Sequence, residues 1–290
     1  MIFPGTMPAA FIGHGSPMNT LETNRFTSAW RELGRALPRP RAVLCVSAHW
    51  FINGSAVTAM ERPRVIHDFY GFPQRLFEFD YPAPGAPDVA QEIADVVKPG
   101  HVSLDVDSWG LDHGTWSVLA HVFPKADVPV VQLSLHAGEE LEYHLELGAR
   151  LASLRERGIF ILGSGNVVHN LRLVNWKLAE QAFDWAEEFD TEVQQLMRSG
   201  PGNLAGIRAH PHFSLAVPTP EHFLPLAYLA GLAAHAHETP ELLVDGGALG
   251  SLTMTSFVLG DTAVKGPDPA LSASASLPNP RDIPPEDTNL

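Results

Sequence analysis

The chain is 290 residues long with 45% hydrophobic, 9% aromatic and 18% charged residues, enough to build a sizeable core and unlike a disordered or collagen-like composition. Its 33 acidic against 19 basic side chains give a formal charge of −14, which repels phosphate backbones and anionic lipid, so neither nucleic acid nor a membrane is an expected partner. The single cysteine, Cys45, lies in an apolar run, so no internal disulfide can form and a reducing, cytoplasmic setting is expected.

In chain order, short apolar or β-branched runs predict strands near 8–13, 42–48, 55–60, 128–135, 159–164 and 252–259. Between them, apolar residues at helical spacing predict helices over 22–37, 88–97, 115–123, 139–157 and 177–198, as with Leu141, Leu145, Leu147, Leu151 and Leu154. The apolar stretch from Leu224 to Ala234 is 11 residues, well short of the roughly 20 that span a bilayer, and predicts a buried helix. The opening Met1-Ile2-Phe3-Pro4-Gly5 has neither the basic stretch nor the apolar core of a secretory signal.

This alternation predicts one α/β domain over residues 1–262, with a mostly parallel or mixed central sheet flanked by helices. In such sheets ligands bind outside the C-terminal ends of the strands, and the active site is expected there. Residues 263–290, rich in Pro and Ser, read as a disordered or extended tail. The connection from Arg62 to Gly85 is unusually long and aromatic and is a candidate wall of that site.

The chain carries 14 histidines, and five stand at positions that matter. His14, framed by Gly13 and Gly15, is expected to lie exposed at the end of the first strand, and His49 follows the second; adjacent strands would set the two side by side as metal ligands. Gly163-Ser164-Gly165 lacks the Lys-Ser/Thr of a phosphate loop and the third glycine of a dinucleotide site, and instead predicts a turn that swings His169 over the same edge. His113 stands between Asp112 and Gly114 just ahead of a helix, where Asp112 either orients it or merely solvates it. Thr219 as N-cap and Pro220 at the first helical position place Glu221 and His222 in a first turn. Either is a possible third ligand, but neighbours on a helix point about 100° apart, so only one is expected to serve. His101, His121, His136, His144, His210, His212, His235 and His237 read as surface residues.

Taken together, Gly13-His14-Gly15-Ser16-Pro17, Ser47-Ala48-His49-Trp50, His67-Asp68-Phe69-Tyr70-Gly71-Phe72-Pro73, Trp109 to Trp116, Gly163 to Asn170 and Pro218 to Leu226 resemble the DOPA 4,5-dioxygenase type of class III extradiol ring-cleavage dioxygenases, in that family's order across residues 8–260. The resemblance implies a metal-dependent enzyme that inserts both atoms of O₂ into a small catechol with ring opening. It implies iron(II) for activity, with zinc(II) also suited to the ligand set. His14 and His49 match the family's metal ligands, His222 falls where a related branch has a glutamate, and His169 matches the acid/base histidine. His113 would hydrogen-bond a substrate hydroxyl or oxygen, and His67, Phe69, Tyr70 and Phe72 would cover the ring. Arg62, Arg64 and Arg75, which flank that aromatic segment, are candidates for a substrate carboxylate. The expected partners are a catechol and O₂, with the chain a monomer or small homo-oligomer. The competing reading is a zinc-dependent hydrolase that uses the same histidines to activate water.

Overall fold

The computed structural model describes residues 5–262, so the predicted tail over 263–290 lies outside the described residues. In chain order the elements are β1 (Ala9–Gly13), α1 (Arg25–Ala36), β2 (Ala42–Ile52), β3 (Ala56–Thr58), α2 (Gln74–Phe77), α3 (Pro87–Val96), β4 (Ser103–Asp105), α4 (His113–Val122), β5 (Val130–His136) and α5 (Leu141–Arg150). They continue with α6 (Ser153–Glu156), β6 (Ile159–Gly165), α7 (Asp184–Ser199), α8 (Phe213–Ala216), α9 (Leu224–Ala236), β7 (Glu241–Val244), β8 (Gly247–Ala248), β9 (Leu252–Thr253) and β10 (Ser256–Leu259).

An eight-stranded sheet in the order β4-β3-β5-β2-β6-β1-β10-β7 forms the centre. The four middle strands, β5, β2, β6 and β1, run parallel, while β3 against β5, β10 against β1 and β7 against β10 are antiparallel. The expected α/β domain with a mixed sheet is therefore the observed one. Its centre is parallel because the continuous apolar runs of β1 and β6 can be buried on both faces. Alternate residues feed two cores. Phe11, Leu44, Ile159 and Ile161 face the α5, α7 and α9 side, whereas Ala10, Val43, Phe160 and Leu162 face the α1 and α4 side. The α9 stretch from Leu224 to Ala233 is buried throughout, as its apolar sequence requires, and no described helix is long and apolar enough to cross a membrane.

Departures from the predicted elements have local causes. The helix expected over 22–37 starts at Arg25, because Asn24 caps it: its side chain accepts from Thr27 N while Thr27 Oγ1 accepts from Asn24 N. The helix expected over 139–157 breaks after Arg150 into α5 and α6, the one expected over 177–198 starts only at Asp184, and the strand expected over 252–259 divides into β9 and β10. β4, β7, β8, α2 and α8 were not foreseen; each is at most four residues long, too short for a period to register.

Candidate active site

The parallel strands deliver their C-terminal ends to one edge of the sheet, and the histidines gather there. β1 ends at Gly13 and presents His14, which is buried at 1% exposure rather than exposed as expected. β2 runs on to Ile52, past the predicted end, so His49 lies within the strand, where its register against β5 shifts between Val46 and Phe51. β1 and β2 are not neighbours, because β6 lies between them. The intervening strand supplies Ser164, whose hydroxyl donates to Gly114 O at 2.6 Å and accepts from His14 Nδ1 at 2.9 Å.

His113 opens α4, packed against His49 with ring centroids 3.9 Å apart. A Cβ on Gly114 would stand 2.8 Å from the His49 ring, so glycine at this position permits the approach. Asp112 neither orients nor solvates His113. It caps α4 by accepting from Thr115 N at 3.1 Å and also accepts from the Ser47 hydroxyl at 2.7 Å and the Gln132 amide, tying the helix to β2 and β5. The orienting carboxylate is Asp68, from the aromatic segment. Its Oδ2 is 3.1 Å from His49 Nδ1, its Oδ1 is 3.0 Å from His113 Nδ1, and Oδ1 also accepts from His113 N at 2.9 Å. His113 Nδ1 has no other partner among the described residues, so Asp68 is the group that holds this ring.

The opposite wall comes from loops. α9 begins at Leu224 with Pro225 in its first turn, so Thr219 does not cap it. Thr219 Oγ1 instead donates to Glu221 Oε1 at 2.7 Å, and that oxygen stands 3.2 Å from His222 Nδ1. The turn docks on β6 through Asn166 N, which donates to His222 O at 2.8 Å, and a Cβ on Gly165 would overlap that same carbonyl. His169 stacks on His222 with ring centroids 3.5 Å apart and planes 7° from parallel. Buried Asp190 braces this segment: it accepts from the Thr253 hydroxyl at 2.7 Å, and Thr253 in turn accepts from Val168 N at 3.2 Å and Asn166 Nδ2 at 2.8 Å.

Each Nδ1 of His14, His49, His113 and His222 faces a hydroxyl or carboxylate oxygen, so the tautomer with its proton on Nδ1 and a lone pair on Nε2 satisfies all four rings. Nε2 of His14 and His49 stand 3.3 Å apart, close enough for one cation to take a lone pair from each in that tautomer. The donor atoms of His14, His49 and His113 all lie within 4.8 Å of one another. The His222 ring borders this trio, its centroid 5.5 Å from that of His14 and 5.1 Å from that of His49. The donor set fits a metal ion that accepts neutral imidazole. His169 makes no side-chain hydrogen bond among the described residues.

Burial, followed by the crowding of like imidazoles, holds the pKa values of His14, His169 and His222 well below the ordinary range and lowers that of His113 less strongly. His49 differs. Burial works against its charge, yet Asp68, Asp112 and Glu221 outweigh burial and raise its pKa. Burial likewise opposes the Asp68 charge, but His113 and His49 hold it well below the usual carboxylate range. The fully buried carboxyl of Asp112 is raised by desolvation and by the Asp68 charge.

A cavity of about 400 Å³ is lined by His49, Asp68, His113, His169, Glu221 and His222, and also by Phe51, Leu171, Pro218 and Arg172. His67, Phe69, Tyr70 and Phe72, expected to cover a substrate ring, are not among the residues lining it. Phe69 and Phe72 are buried in the core beside Trp116, His67 bonds Phe79 O at 2.9 Å, and Tyr70 points outward at 60% exposure. Phe69 still bears on the site, because its ring packs edge-on against His113 at 5.5 Å. Arg62, Arg64 and Arg75 are exposed away from the cavity, with the Arg64 guanidinium bonded to Ser108 O. His121 and His144, read as surface residues, are buried. Asp68, Ser164 and Arg172 were not singled out as site residues; the adjacency of Asp68 to His67 and of Arg172 to the His169 loop were the available signals.

The family described as the catalytic LigB subunit of aromatic ring-opening dioxygenase matches residues 8–251. A protein of Escherichia coli K12 named 4,5-DOPA dioxygenase extradiol is 48% identical over 258 residues, covering 88% of this chain and 95% of the relative. A Beta vulgaris protein of the same name is 36% identical over 85% of this chain and 96% of its own length. The crystal structure of an uncharacterized Escherichia coli K12 protein superposes with a TM-score of 0.77 at 43% identity, covering 88% of this chain and all of that one. With residues 8–251 matched and the histidine-lined cavity at the strand ends, the chain belongs to the LigB family of class III extradiol ring-cleavage dioxygenases, in its DOPA 4,5-dioxygenase-like branch.

Proposed function

We propose that the protein cleaves a small catechol with O₂, using an iron(II) ion held by His14, His49 and His222. The observation that carries this reading is the set of imidazoles whose Nδ1 atoms face oxygens, with Nε2 of His14 and His49 only 3.3 Å apart. The short distances from His113 to both His14 and His49 favour a second arrangement, in which His113 completes the triad and His222 lies outside it. Zinc(II) fits the same neutral imidazoles.

When bound, the ferrous ion supplies the electronic coupling between a catechol ring and O₂ that the two lack on their own. The chain's residues supply binding and proton control. His169, neutral and without a protein partner for its side chain, takes a proton from a catechol hydroxyl and returns it to the ring-opened product. His113, with Nδ1 facing Asp68, presents Nε2 as an acceptor for a substrate hydroxyl. Phe51, Leu171 and Pro218 give the ring an apolar wall and displace water. In the overall reaction a ring C–C bond beside the two hydroxyl-bearing carbons breaks, and both oxygen atoms of O₂ enter the product.

Anaerobic reconstitution with iron(II), followed by a catechol in aerated buffer, tests the reading. Consumption of one O₂ per catechol with a new visible absorbance is expected. No uptake with iron, together with ester hydrolysis by the zinc form, would replace it with the hydrolase reading.

A further inference from the structure

We propose that Arg172 is the specificity-determining residue that recognises a carboxylate on the substrate's side chain; this rests on the ring-cleavage reading above. Arg172 is the one lysine or arginine among the described residues lining the cavity. Its neighbours there include two carboxylates, Asp68 and Glu221, so a carboxylate entering the cavity has this exposed guanidinium as its one arginine or lysine partner among the described lining residues.

Both carboxylates are already engaged. Asp68 is held between His49 and His113, and Glu221 between Thr219 and His222. Arg172 has no ion-pair partner among the described residues, so its donors are available to a ligand, and a guanidinium suits a carboxylate's two oxygens. Nor is its base loosely tethered. Arg172 N donates to Asn170 Oδ1 at 3.1 Å, while Asn170 is anchored by its N to Ser251 O at 3.0 Å, by Nδ2 to Leu215 O at 2.8 Å and by the Ser251 hydroxyl at 2.7 Å. The backbone that carries the cation is thus anchored three residues beyond His169. Phe51, Leu171 and Pro218 share the cavity wall with it. A catechol with its hydroxyls at the imidazoles can lay its ring along this apolar wall and extend a two- or three-atom arm toward Arg172.

The test pairs 3-(3,4-dihydroxyphenyl)propionate with 4-ethylcatechol, the same ring without the carboxylate. Dissociation constants are measured anaerobically on the iron-loaded wild type and on Arg172→Ala, Arg172→Lys and Arg172→Glu, and O₂ is then admitted. The wild type is expected to favour the carboxylate by roughly 5- to 30-fold, the yield of a charge-assisted contact at a partly open site. Arg172→Ala should bring the ratio of the two constants close to one, Arg172→Lys should keep part of it, and Arg172→Glu should invert it. The same ordering should appear in KM rather than kcat. An equal ratio in wild type and Arg172→Ala overturns the assignment even if both catechols are cleaved. A ratio that collapses in Arg172→Ala while no catechol is opened upholds Arg172 as a carboxylate reader and overturns the ring-cleavage reading instead.

Discussion

The two walls of the cavity are built differently. On the sheet side, His14, His49 and His113 stand on or beside regular elements, and each Nδ1 faces a partner that is itself anchored: Ser164 for His14, and Asp68 for the other two. On the loop side, His222 relies on its own neighbour Glu221, and His169 has only the stacked face of His222. A metal ligand gains from a held tautomer and a fixed direction, whereas a proton carrier must exchange its proton with substrate. On the proposed function the walls divide the work, with metal binding on the sheet side and proton transfer on the loop side, and His222 joins them.

The sharpest way to break this comparison is to remove ligands. His14→Ala and His49→Ala should lose metal and oxygen uptake together, falling to background in both metal analysis and an oxygen electrode. His222→Ala should behave like them while His113→Ala keeps its metal; the opposite pair of results exchanges the roles of His222 and His113. Next in size is His169→Ala, expected to retain metal while ring cleavage falls by roughly 10²–10⁴-fold, as for loss of a general acid/base. Collapse of its metal content would make His169 a ligand and erase the distinction between the walls. Asp68→Asn should act more mildly, because an amide can offer an acceptor to only one of the two rings. A loss of about 10- to 100-fold in metal affinity or turnover is expected, and an unchanged affinity and rate would remove Asp68 from the positioning role.

The smallest effect lies outside both walls and serves as their control. Burial pushes His121 down to about 4, partly offset by the Asn19 carbonyl and reinforced by Arg31. Burial also pushes His144 down to about 4, with the His136 backbone acting upward and its ring downward, beside the Tyr228 hydroxyl. In the unfolded chain both titrate near 6.5. Between these values the unfolded state binds more protons, so stability is full above about pH 6.5 and falls as pH drops toward 4, by at most about 1.4 kcal/mol per ring and pH unit. Urea midpoints measured on the metal-free protein should show a shallower slope for His121→Gln than for wild type. Equal slopes would show that His121 is not held neutral by burial.

The major strands and helices were legible because their apolar residues recur with a period long enough to register, as in β6 and α5. The histidines of the site were legible for a different reason: His14 and His169 follow strands, and His49 stands near the C-terminal end of one, and a parallel sheet must bring those ends to one edge. Their relations were not. β6 separates β1 from β2, so His14 and His49 meet across a strand rather than side by side on neighbouring ones, and strand order is a property of long-range pairing that no local pattern carries.

The aromatic segment shows the same boundary. Its composition marked it as bearing on the site, and it does, but through Asp68, while Phe69 and Phe72 go to the core because burying large apolar rings is worth more than leaving them on a cavity wall. The cation of the site was sought nearby in sequence, at Arg62, Arg64 and Arg75, and lies instead at Arg172, on a turn anchored through Ser251 and Leu215. Residue type and local period thus gave the fold class and marked the histidines that gather at the strand ends. Which histidine faces which, which carboxylate holds them and which arginine shares their cavity depended on contacts between segments far apart in sequence, as with Ser251 and Asn170 at a separation of 81 and His14 and Ser164 at 150, and only packing selects those.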